Sequence, residues 1–510
     1  MPLNSPDGAG TLDADVIVVG AGPAGLMLAG ELRLGGARVI VTERLEGPTG
    51  QSRGLGFTAR AMEVFDQRGL LPRFGGLTTS PMGHFGGVQF DYTVLEGAHF
   101  GARGIPQSQT EAVLEEWAAE LGADIRRGWE FVALAEGFLD ADADGVEITV
   151  RTPDGVRQLR AAYLVGCDGG QSAVRRAAGF DFPGTAATRA MFLADVVGCD
   201  LRPRFLGERQ PHGMVMAAPL GDGVDRIIVC PDGVPARDRD QALTFAEVAD
   251  AWQHITGEDI HAGEAQWVSS FTDATRQASE YRRGRVLLVG DAAHIHLPAG
   301  GQGLSTGVQD AANLGWKLAD EVRGGAPEGL LDSYHAERHP VGARLLMNTR
   351  AQGTVFLGGE ESDPLRELFA ELIEYDDVKR HLAGVVSGLD IRYDIADAPS
   401  GAHPLTGRRV GHRRLIGAAG ETSTTELLHP ARGVLLDLAD DPDVRRVAVR
   451  HLGRVRVTTA VPKPVDGEDP LSGASAVLVR PDGYVAWAGD ADDLGGLSRA
   501  VRRWFGEPAS

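Results

Sequence analysis

Some apolar residues of the chain occur in short runs or at every second position, as in strands, and others recur every three or four residues, as in helices. This combination predicts a mixed α/β protein. Residues 16–19 are four consecutive apolar residues, typical of a buried parallel strand. A helical pattern follows, whose apolar face consists of Leu26, Leu28, Ala29 and Leu32. Residues 38–42 form a second apolar strand. This order of strand, helix and strand favours a Rossmann-like parallel sheet.

The same two patterns predict the later elements. Strands are expected at 146–150, 163–166, 213–220, 226–230, 285–289, 434–438, 455–459 and 476–480. Helices are expected at 110–121, with Val113, Leu114 and Trp117 on one face, at 304–322, and over a stretch from 327 to 388. A segment rich in Gly, Pro, Ser and Asp near 395–405 marks a boundary.

These elements divide the chain into four predicted parts. A discontinuous dinucleotide-binding domain takes residues 13–180 and 282–330, and a β-rich domain takes 181–281. A helical segment covers 331–394, and a third α/β unit covers 395–510. No internal repeat is apparent.

The turn after the first strand carries a dinucleotide-binding motif. Gly20 makes the tight turn, Gly22 lets the backbone approach a pyrophosphate, and Gly25 lets the helix pack closely on its strand. Glu43, 18 residues after Gly25, ends the second strand and is placed to accept hydrogen bonds from a ribose. The alternative interpretation is an ordinary tight turn, and the motif alone does not separate NAD from FAD.

Composition narrows the class of protein. The chain has 510 residues, 43% of them hydrophobic, which predicts a globular protein of two or three domains. The formal net charge of −21 argues against nucleic acid and anionic membranes as partners. No apolar run reaches the about 18 residues that span a bilayer.

The termini and cysteines favour a cytoplasmic protein. Residues 1–12 lack the basic and apolar blocks of a signal peptide. Cys167, Cys199 and Cys230 form no Cys-x-x-Cys pair, which fits a reducing compartment and buried thiols without a disulfide.

Three segments together resemble the class A FAD-dependent aromatic hydroxylases. These are the glycine-rich turn at 15–25 (DVIVVGAGPAG), an Asp-Gly segment at 164–170 (LVGCDGG) and a Gly-Asp segment at 290–291. Residues 54–60 (GLGFTAR) and 294–303 (HIHLPAGGQG) are closer still to the bacterial aromatic polyketide hydroxylases that act on angucyclines. The resemblance covers nearly the whole chain.

The resemblance implies bound FAD and a set of residues around it. Asp291 would bond the ribityl hydroxyls, which FAD has and NAD lacks. Pro298 and the loop Gly300 to Gly303, with Leu304 starting the next helix, would lie at the flavin ring, where the helix dipole stabilises negative charge. The matching family positions that approach the adenine ribose, pyrophosphate and ribityl chain are Arg44, Arg53 and Gln107.

The Asp-Gly segment has two interpretations. Asp168, with Arg175 a few residues later, matches the family segment that contributes to both FAD and NAD(P)H binding. The alternative is a turn that ends a strand and carries a surface ion pair. For Arg44 or Arg53 taken alone, a solvated surface role would be the better interpretation.

The implied reaction is a hydroxylation performed by the cofactor. NADPH would bind transiently and reduce FAD, because no second Gly-x-Gly-x-x-Gly motif follows a strand. O2 would then form a flavin C4a-hydroperoxide that hydroxylates a polycyclic, angucycline-type aromatic ring. No catalytic side chain is assigned. The alternatives are a Baeyer-Villiger oxygenase, a dehydrogenase, or a non-catalytic flavin-binding partner in a biosynthetic complex.

The substrate is expected in a cleft between the β-rich domain and the flavin. Met214 and Met216 are candidates to line it, with core packing as the alternative. His294 and His296 suggest a metal pair, but no third ligand is nearby, so loop packing is favoured and no metal is expected. Residues 333–338 (SYHAER) match the family's helix after the flavin segment and are interpreted as a capped and salt-bridged structural helix.

Two features depart from the family pattern. Ser305 stands where many relatives have Asn, which is expected to alter flavin affinity or the lifetime of the hydroperoxide. Residues 395–510, ending in 477–487 (VLVRPDGYVAW), resemble the thioredoxin-like domain of phenol hydroxylase relatives, yet the chain has no cysteine after Cys230. Without cysteines that domain cannot perform dithiol chemistry. Its expected role is packing or contact between subunits, for example in a homodimer.

Overall fold

The structure is a computed structural model that describes residues 11–75, 80–95, 99–139, 144–237, 241–395, 402–465, 469 and 471–507. Residues 1–10 and 396–401 lie outside these ranges. Most of the N-terminal segment 1–12 and most of the predicted boundary near 395–405 therefore have no structural description.

The N-terminal part alternates strands and helices in the predicted way. Its elements are β1 (Ala14–Val19), α1 (Pro23–Leu34), β2 (Val39–Glu43), β3 (Gly56–Phe57), α2 (Ala59–Asp66), β4 (Met82–Phe85), β5 (Val88–Asp91), β6 (Arg103–Gly104), α3 (Gln107–Glu120), β7 (Asp124–Arg127), β8 (Glu130–Leu134), β9 (Val146–Thr152), β10 (Gly155–Gly166) and α4 (Ala173–Ala177). The predicted apolar runs all fall on buried strands or helix faces.

The next part forms an antiparallel sheet. Its elements are β11 (Gly184–Thr185), β12 (Ala190–Val197), β13 (Arg204–Gln210), β14 (Gly213–Gly221), β15 (Val224–Pro231), α5 (Phe245–Thr256), β16 (Glu264–Thr272) and β17 (Thr275–Gln277). Five strands pair in the order β13-β14-β15-β12-β16, and α5 packs on one face through Val248, Trp252 and Ile255. The two strands predicted here are confirmed, and each is longer than predicted.

The chain then returns to the first sheet and becomes helical. The elements are β18 (Arg282–Arg283), β19 (Val286–Leu288), β20 (His294–Ile295), α6 (Gln302–Val322), α7 (Asp332–Leu357), α8 (Asp363–Leu372) and α9 (Asp376–Ser387). The first sheet has the order β18-β19-β10-β1-β2-β7, in which β19, β10, β1, β2 and β7 run parallel. Because β19 completes a sheet begun by β1, the predicted discontinuous arrangement is confirmed.

The C-terminal part has its own mixed sheet. Its elements are β21 (Arg414–Gly417), β22 (Gly420–Ser423), β23 (Gly433–Asp437), α10 (Pro442–Ala448), β24 (Val455–Pro462), β25 (Ala476–Val479), β26 (Val485–Gly489) and α11 (Leu494–Phe505). The strands pair in the order β22-β21-β24-β23-β25-β26, with β23 parallel to β24 and antiparallel to β25. The predicted fold class, including this thioredoxin-like unit, is confirmed, while the residue boundaries of the domains remain predictions.

Candidate functional site

The glycine-rich turn between β1 and α1 is packed on two sides and open on a third. Gly20 has φ of +108°, and a Cβ atom there would lie 2.4 Å from the carbonyl oxygen of Cys167. A Cβ atom on Gly25 would lie 2.0 Å from the carbonyl oxygen of Gly20. Apart from local backbone, no atom of the described residues lies within 4 Å of the Cβ position on Gly22. Gly20 and Gly25 therefore serve packing, whereas the Cβ side of Gly22 faces open space.

The three sequence segments meet at the carboxyl ends of β1, β10 and β19. Cys167, directly after β10, contacts Gly20, and its N–H donates to the carbonyl oxygen of Val19 at 2.8 Å. Gly290 follows β19 with φ of +63°, and a Cβ atom there would lie 3.3 Å from Cβ of Ala24 in α1. The carboxyl edge of a parallel sheet is the usual place for a ligand in such folds.

Two of the three predicted carboxylates, Glu43 and Asp291, lie in different environments. Glu43 is half-buried, and its carboxylate accepts hydrogen bonds from the N–H groups of Ala21 at 2.9 Å and Leu45 at 3.0 Å. Asp291 is exposed. Glu43 thus ties the glycine-rich turn to the end of β2, whereas Asp291 presents its carboxylate to solvent.

The other predicted polar residues lie at the starts and ends of nearby elements. Arg44, after β2, and Arg53, before β3, are both exposed. Gln107 begins α3; its Oε1 accepts from the N–H of Gly54 at 3.3 Å, and its own N–H donates to the carbonyl oxygen of Gly54 at 3.0 Å. These paired bonds hold the segment before β3 against α3.

A two-glycine turn leads into α6. Gly300 and Gly301 have φ of +70° and +65°, and no side chain caps α6 at its N-cap residue, Gly301. Pro298 is exposed, and Leu304 packs against Gly54, where a Cβ atom would lie 2.3 Å from Cδ1 of Leu304. The first-turn N–H groups of this 21-residue helix therefore carry the positive end of the helix dipole without a side-chain acceptor at the cap.

Ser305 has a structural partner. Its buried hydroxyl oxygen accepts a hydrogen bond at 2.9 Å from the N–H of Thr58, the residue that precedes α2. The shorter side chain therefore links α6 to α2, and its predicted effect on flavin affinity remains a prediction.

Asp168 and Arg175 organise the end of β10. Oδ2 of Asp168 accepts from the N–H groups of Ala173 at 2.6 Å and Val174 at 3.1 Å, and burial raises the pKa of this carboxyl. Arg175 is buried and donates to the carbonyl oxygens of Gly170 and Ala292, each at 2.8 Å. The surface ion pair is therefore a wrong interpretation for Arg175, which instead joins the segments that follow β10 and β19. A cofactor role for Asp168 remains a prediction.

The two histidines of the loop have separate partners. His294 is buried, with Nε2 at 2.8 Å from Oδ2 of Asp310, while Nδ1 of His296 lies 2.7 Å from the carbonyl oxygen of Leu297. The ring of His296 also packs on Gly303, whose Cβ position is 3.4 Å from Nε2. Within the described ranges, no group of three His, Cys, Asp or Glu side chains is arranged for a metal.

Asp310 is a site residue that the sequence reasoning missed. Besides His294, it accepts from Nε of Arg338 at 2.6 Å and from the N–H of Gly290 at 3.2 Å. Burial alone would raise the pKa of Asp310, but the interactions with Arg338 and His294 outweigh burial and lower it. The available signal was a lone carboxylate on the buried face of α6, since Asp310 shares that face with Leu314.

Residues 333–338 form part of a buried ionic network, which confirms the predicted salt bridges. The predicted cap is wrong, because no side chain caps α7 at its N-cap residue, Leu331. Glu337 accepts from Nζ of Lys317 at 2.8 Å and from Nη2 of Arg480 at 2.9 Å. Burial opposes ionisation, but Arg480 and Lys317 lower the pKa of Glu337 to about 2. Burial lowers the pKa of Lys317 to about 8. The network joins α6, α7 and the turn after β25.

An apolar cluster fills the space between the five-stranded sheet and the segment before α6. Its buried members are Met191, Met214, Cys230, Leu297 and Leu357, with Met216, Ile228, Phe271, Ala299 and Phe356 partly buried around them. Both predicted methionines thus lie on the sheet face opposite α5, next to the loop at 297–299. Their packing fits both interpretations, lining a cleft and filling a core.

The three cysteines are unpaired in the structure, with Cys167 and Cys230 buried and Cys199 half-buried. Burial raises the pKa of each thiol. Among the helices that the structure describes, none is both long and apolar enough to cross a membrane.

Comparisons with known proteins agree with this architecture. A family model described as FAD binding domain matches residues 13–349, and one described as aromatic-ring hydroxylase, C-terminal, matches residues 403–508. The chain is similar to CabE, an aromatic hydroxylase from angucycline biosynthesis, with 61% identity, a TM-score of 0.92, and coverage of 98% of this chain and 100% of that one.

Two further relatives are similar over their full length. BexE, studied for oxidation during BE-7585A biosynthesis, has 59% identity and a TM-score of 0.90, covering 98% of this chain and 100% of that one. The 12-dehydrotetracycline 5-monooxygenase/anhydrotetracycline 6-monooxygenase of Streptomyces rimosus is 43% identical, over 97% of this chain and 99% of that protein. The chain therefore belongs to the family of FAD-binding aromatic-ring hydroxylases.

Proposed function

We propose that the protein is an FAD-dependent, NADPH-consuming monooxygenase that hydroxylates a polycyclic aromatic polyketide of the angucycline type. The observation that carries the proposal is the meeting of the glycine-rich turn, the Asp-Gly segment and the Gly-Asp segment at one sheet edge. The substrate class follows from the similarity to CabE, whose name places it in angucycline biosynthesis.

The residues at this edge fit FAD. The open space beside Gly22 suits a pyrophosphate at the N-terminus of α1. Glu43 would accept hydrogen bonds from the adenosine ribose, and Arg44 would lie beside that ribose. The exposed carboxylate of Asp291 would accept hydrogen bonds from ribityl hydroxyls. Arg53, Gln107 and Asp168 complete the proposed binding set.

The N-terminus of α6 would face the flavin ring. Its first-turn N–H groups, after Gly300 and Gly301, place a positive dipole end where reduction makes the pyrimidine edge negative. Pro298, Gly303 and Leu304 belong to the same contact region. When bound, FAD supplies the chemistry: reduction by NADPH, reaction with O2 and delivery of one oxygen atom.

The remaining work of the protein is to bind, orient and exclude water. The apolar cluster around Met214 and Met216 lies between the five-stranded sheet and the loop at 297–299. A flat aromatic substrate bound there would lie beside the flavin, and thioether side chains adapt to such ligands. A site without water would also protect reactive intermediates from hydrolysis.

The proposal is tested by measuring NADPH oxidation by the FAD-loaded protein under air, with and without an angucycline phenol, and by mass spectrometry of the product. Stimulated oxidation and a product with one additional oxygen atom on an intact ring system support it. A ring-expanded product would indicate a Baeyer-Villiger oxygenase. Bound FAD with no stimulation by a range of phenols would favour a binding partner.

A further inference from the structure

A series of four hydrogen bonds connects the turn before α6 to the β4–β5 hairpin. Nε2 of Gln302 donates to the carbonyl oxygen of Ala299 at 3.2 Å. Nδ2 of Asn348 donates to Oε1 of Gln302 at 2.9 Å, and Nε2 of Gln352 donates to Oδ1 of Asn348 at 3.2 Å. The N–H of Gly86, at the hairpin, donates to Oε1 of Gln352 at 3.2 Å. We call Gln302, Asn348 and Gln352 the amide relay.

The amide relay is buried and has a single direction. Gln302, Asn348 and Gln352 are 4%, 2% and 0% exposed. Each side-chain NH2 group donates toward Ala299, and each side-chain oxygen accepts from the next member. Hydrogen bonds aligned in this way polarise one another, and a buried amide that loses its partner pays the full cost of desolvation. Breaking one link is therefore expected to disturb the others.

The turn that the relay contacts consists of residues with few intrinsic conformational restraints. Gly300 and Gly301 both adopt left-handed φ values, and glycine is the residue with the widest choice of backbone conformations. The Cβ position of Gly300 lies 3.1 Å from Nε2 of Gln302 and 3.3 Å from Oε1 of Gln352. The turn thus lies directly on two relay amides.

We propose that the amide relay is a positioning device for bound flavin. It holds the Ala299–Gly301 turn in its left-handed conformation, so that the first-turn N–H groups of α6 point at the pyrimidine edge of the ring. The proposal rests on the proposed function for the site of the flavin. Gln302, Asn348 and Gln352 act through the turn and are positioning residues.

The relay has a consequence for the reduced cofactor. Reduction places negative charge at the pyrimidine edge, and a fixed set of N–H donors stabilises that charge without reorganisation. A loose turn would stabilise the reduced state less, so breaking the relay should make the flavin midpoint potential more negative. The polarised Ala299 carbonyl adds to this effect, because an accepted hydrogen bond strengthens the donor of the same peptide unit.

The first test uses hydrogen–deuterium exchange on the full chain without FAD. Asn348→Leu removes two relay bonds and should speed amide exchange in peptides covering 298–304 by about tenfold, the value of one hydrogen bond. The matched control is Gln309→Met on α6, the helix that carries Gln302, because Gln309 is 7% exposed and its Oε1 has no hydrogen-bond partner among the described residues. Unchanged exchange at 298–304 in Asn348→Leu would overturn the proposal.

A second variant keeps the test valid if Asn348→Leu does not fold. In Asn348→Asp, a protonated carboxyl group can both donate to Gln302 and accept from Gln352, whereas the carboxylate can only accept. Exchange at 298–304, referred to the unaltered protein at the same pH, should be normal at low pH and faster at high pH. If the exchange rate of Asn348→Asp relative to the unaltered protein were the same at low and at high pH, the proposed role of the relay would be contradicted.

The flavin measurements separate this proposal from the proposed function. In FAD-loaded protein, Asn348→Leu should lower the midpoint potential and weaken FAD binding, while Gln309→Met changes neither. If exchange at 298–304 rises but potential and FAD affinity stay unchanged, the relay orders the turn without positioning flavin, which refutes the positioning role. If the unaltered protein binds no FAD, the proposed function fails, and the exchange experiment alone decides whether the relay orders the turn.

Discussion

Gly20 lies so close to Cys167 that a Cβ atom on the glycine would be 2.4 Å from the carbonyl oxygen of Cys167. Gly22, two residues later in the same motif, faces open space. Packing therefore requires glycine at position 20, whereas the fold alone does not require it at position 22. This difference can be measured.

Gly20→Ala should destabilise the protein, whereas Gly22→Ala should weaken only FAD binding. Alanine at position 20 would combine a left-handed φ with a backbone clash, at a cost of about 3 kcal/mol or more in free energy of unfolding. Alanine at position 22 fits φ of −79° without strain, but its methyl group would displace a phosphate and raise the FAD dissociation constant by about tenfold or more. Thermal unfolding without FAD and FAD titration check both statements. Normal FAD affinity in Gly22→Ala would place the pyrophosphate elsewhere.

Asp291→Ala should lower FAD retention without changing the stability of the FAD-free protein. The side chain is exposed, so its removal leaves no buried cavity. Loss of hydrogen bonds from a carboxylate to ribityl hydroxyls should weaken FAD binding by about tenfold. The measurement is flavin content after purification together with titration of stripped protein. Asp332→Ala, which also removes an exposed carboxylate, serves as the control, and unchanged flavin content in Asp291→Ala would refute the ribityl role.

Met216→Trp should impair turnover of a polycyclic substrate while FAD stays bound. Met216 is partly buried at the apolar cluster beside Ala299, so a larger ring would occupy the proposed cleft. Steady-state kinetics should show a fall in kcat/KM of about tenfold or more. Phe205→Trp lies on the same sheet at a position 61% exposed and should leave the kinetics unchanged. Equal loss in both variants would argue against the cleft.

Glu337→Gln should destabilise the protein in a pH-dependent manner. The folded-state pKa of Glu337 is lowered from 4.5 to about 2, so the stability due to its charge is present above pH 4.5 and is lost as the pH falls toward 2. Above pH 4.5 the variant should lose about 3 kcal/mol in free energy of unfolding, because Lys317 and Arg480 keep their buried charges. Urea unfolding at pH 7, 4.5 and 3.5 should show the difference shrinking with acid. A difference independent of pH would mean that the lost charge is not the cause.

Periodicity predicted the fold well because the buried parallel strands are short apolar runs bounded by turn residues. The runs at 16–19 and 38–42 became β1 and β2 with shifts of one or two residues at their ends. The least accurate region was the helical stretch from 327 to 388, which is divided into α7, α8 and α9. Pro340 lies inside α7, so a proline did not mark a helix end there.

The candidate site was only partly predictable, because sequence motifs report local backbone needs and not contacts between distant segments. Gly20, Gly25 and Gly290 were recognisable because each meets a local need, a close approach of backbone at Gly20 and Gly25 and a left-handed φ at Gly290. The bond between Gly86 and Gln352 joins residues 266 positions apart, and no local pattern marks either of them. Asp310 and Arg338 likewise acquire their roles only when α6 and α7 pack together.

The most direct test of the proposed hydroxylase uses isotopically heavy O2. FAD-loaded protein, NADPH and an angucycline phenol are incubated under the labelled gas, and the product is analysed by mass spectrometry. A hydroxylase should place one heavy oxygen atom on an aromatic carbon of the intact ring system, with stimulated NADPH oxidation. A product whose new oxygen comes from water, or an unchanged phenol beside oxidised NADPH, would contradict this proposal.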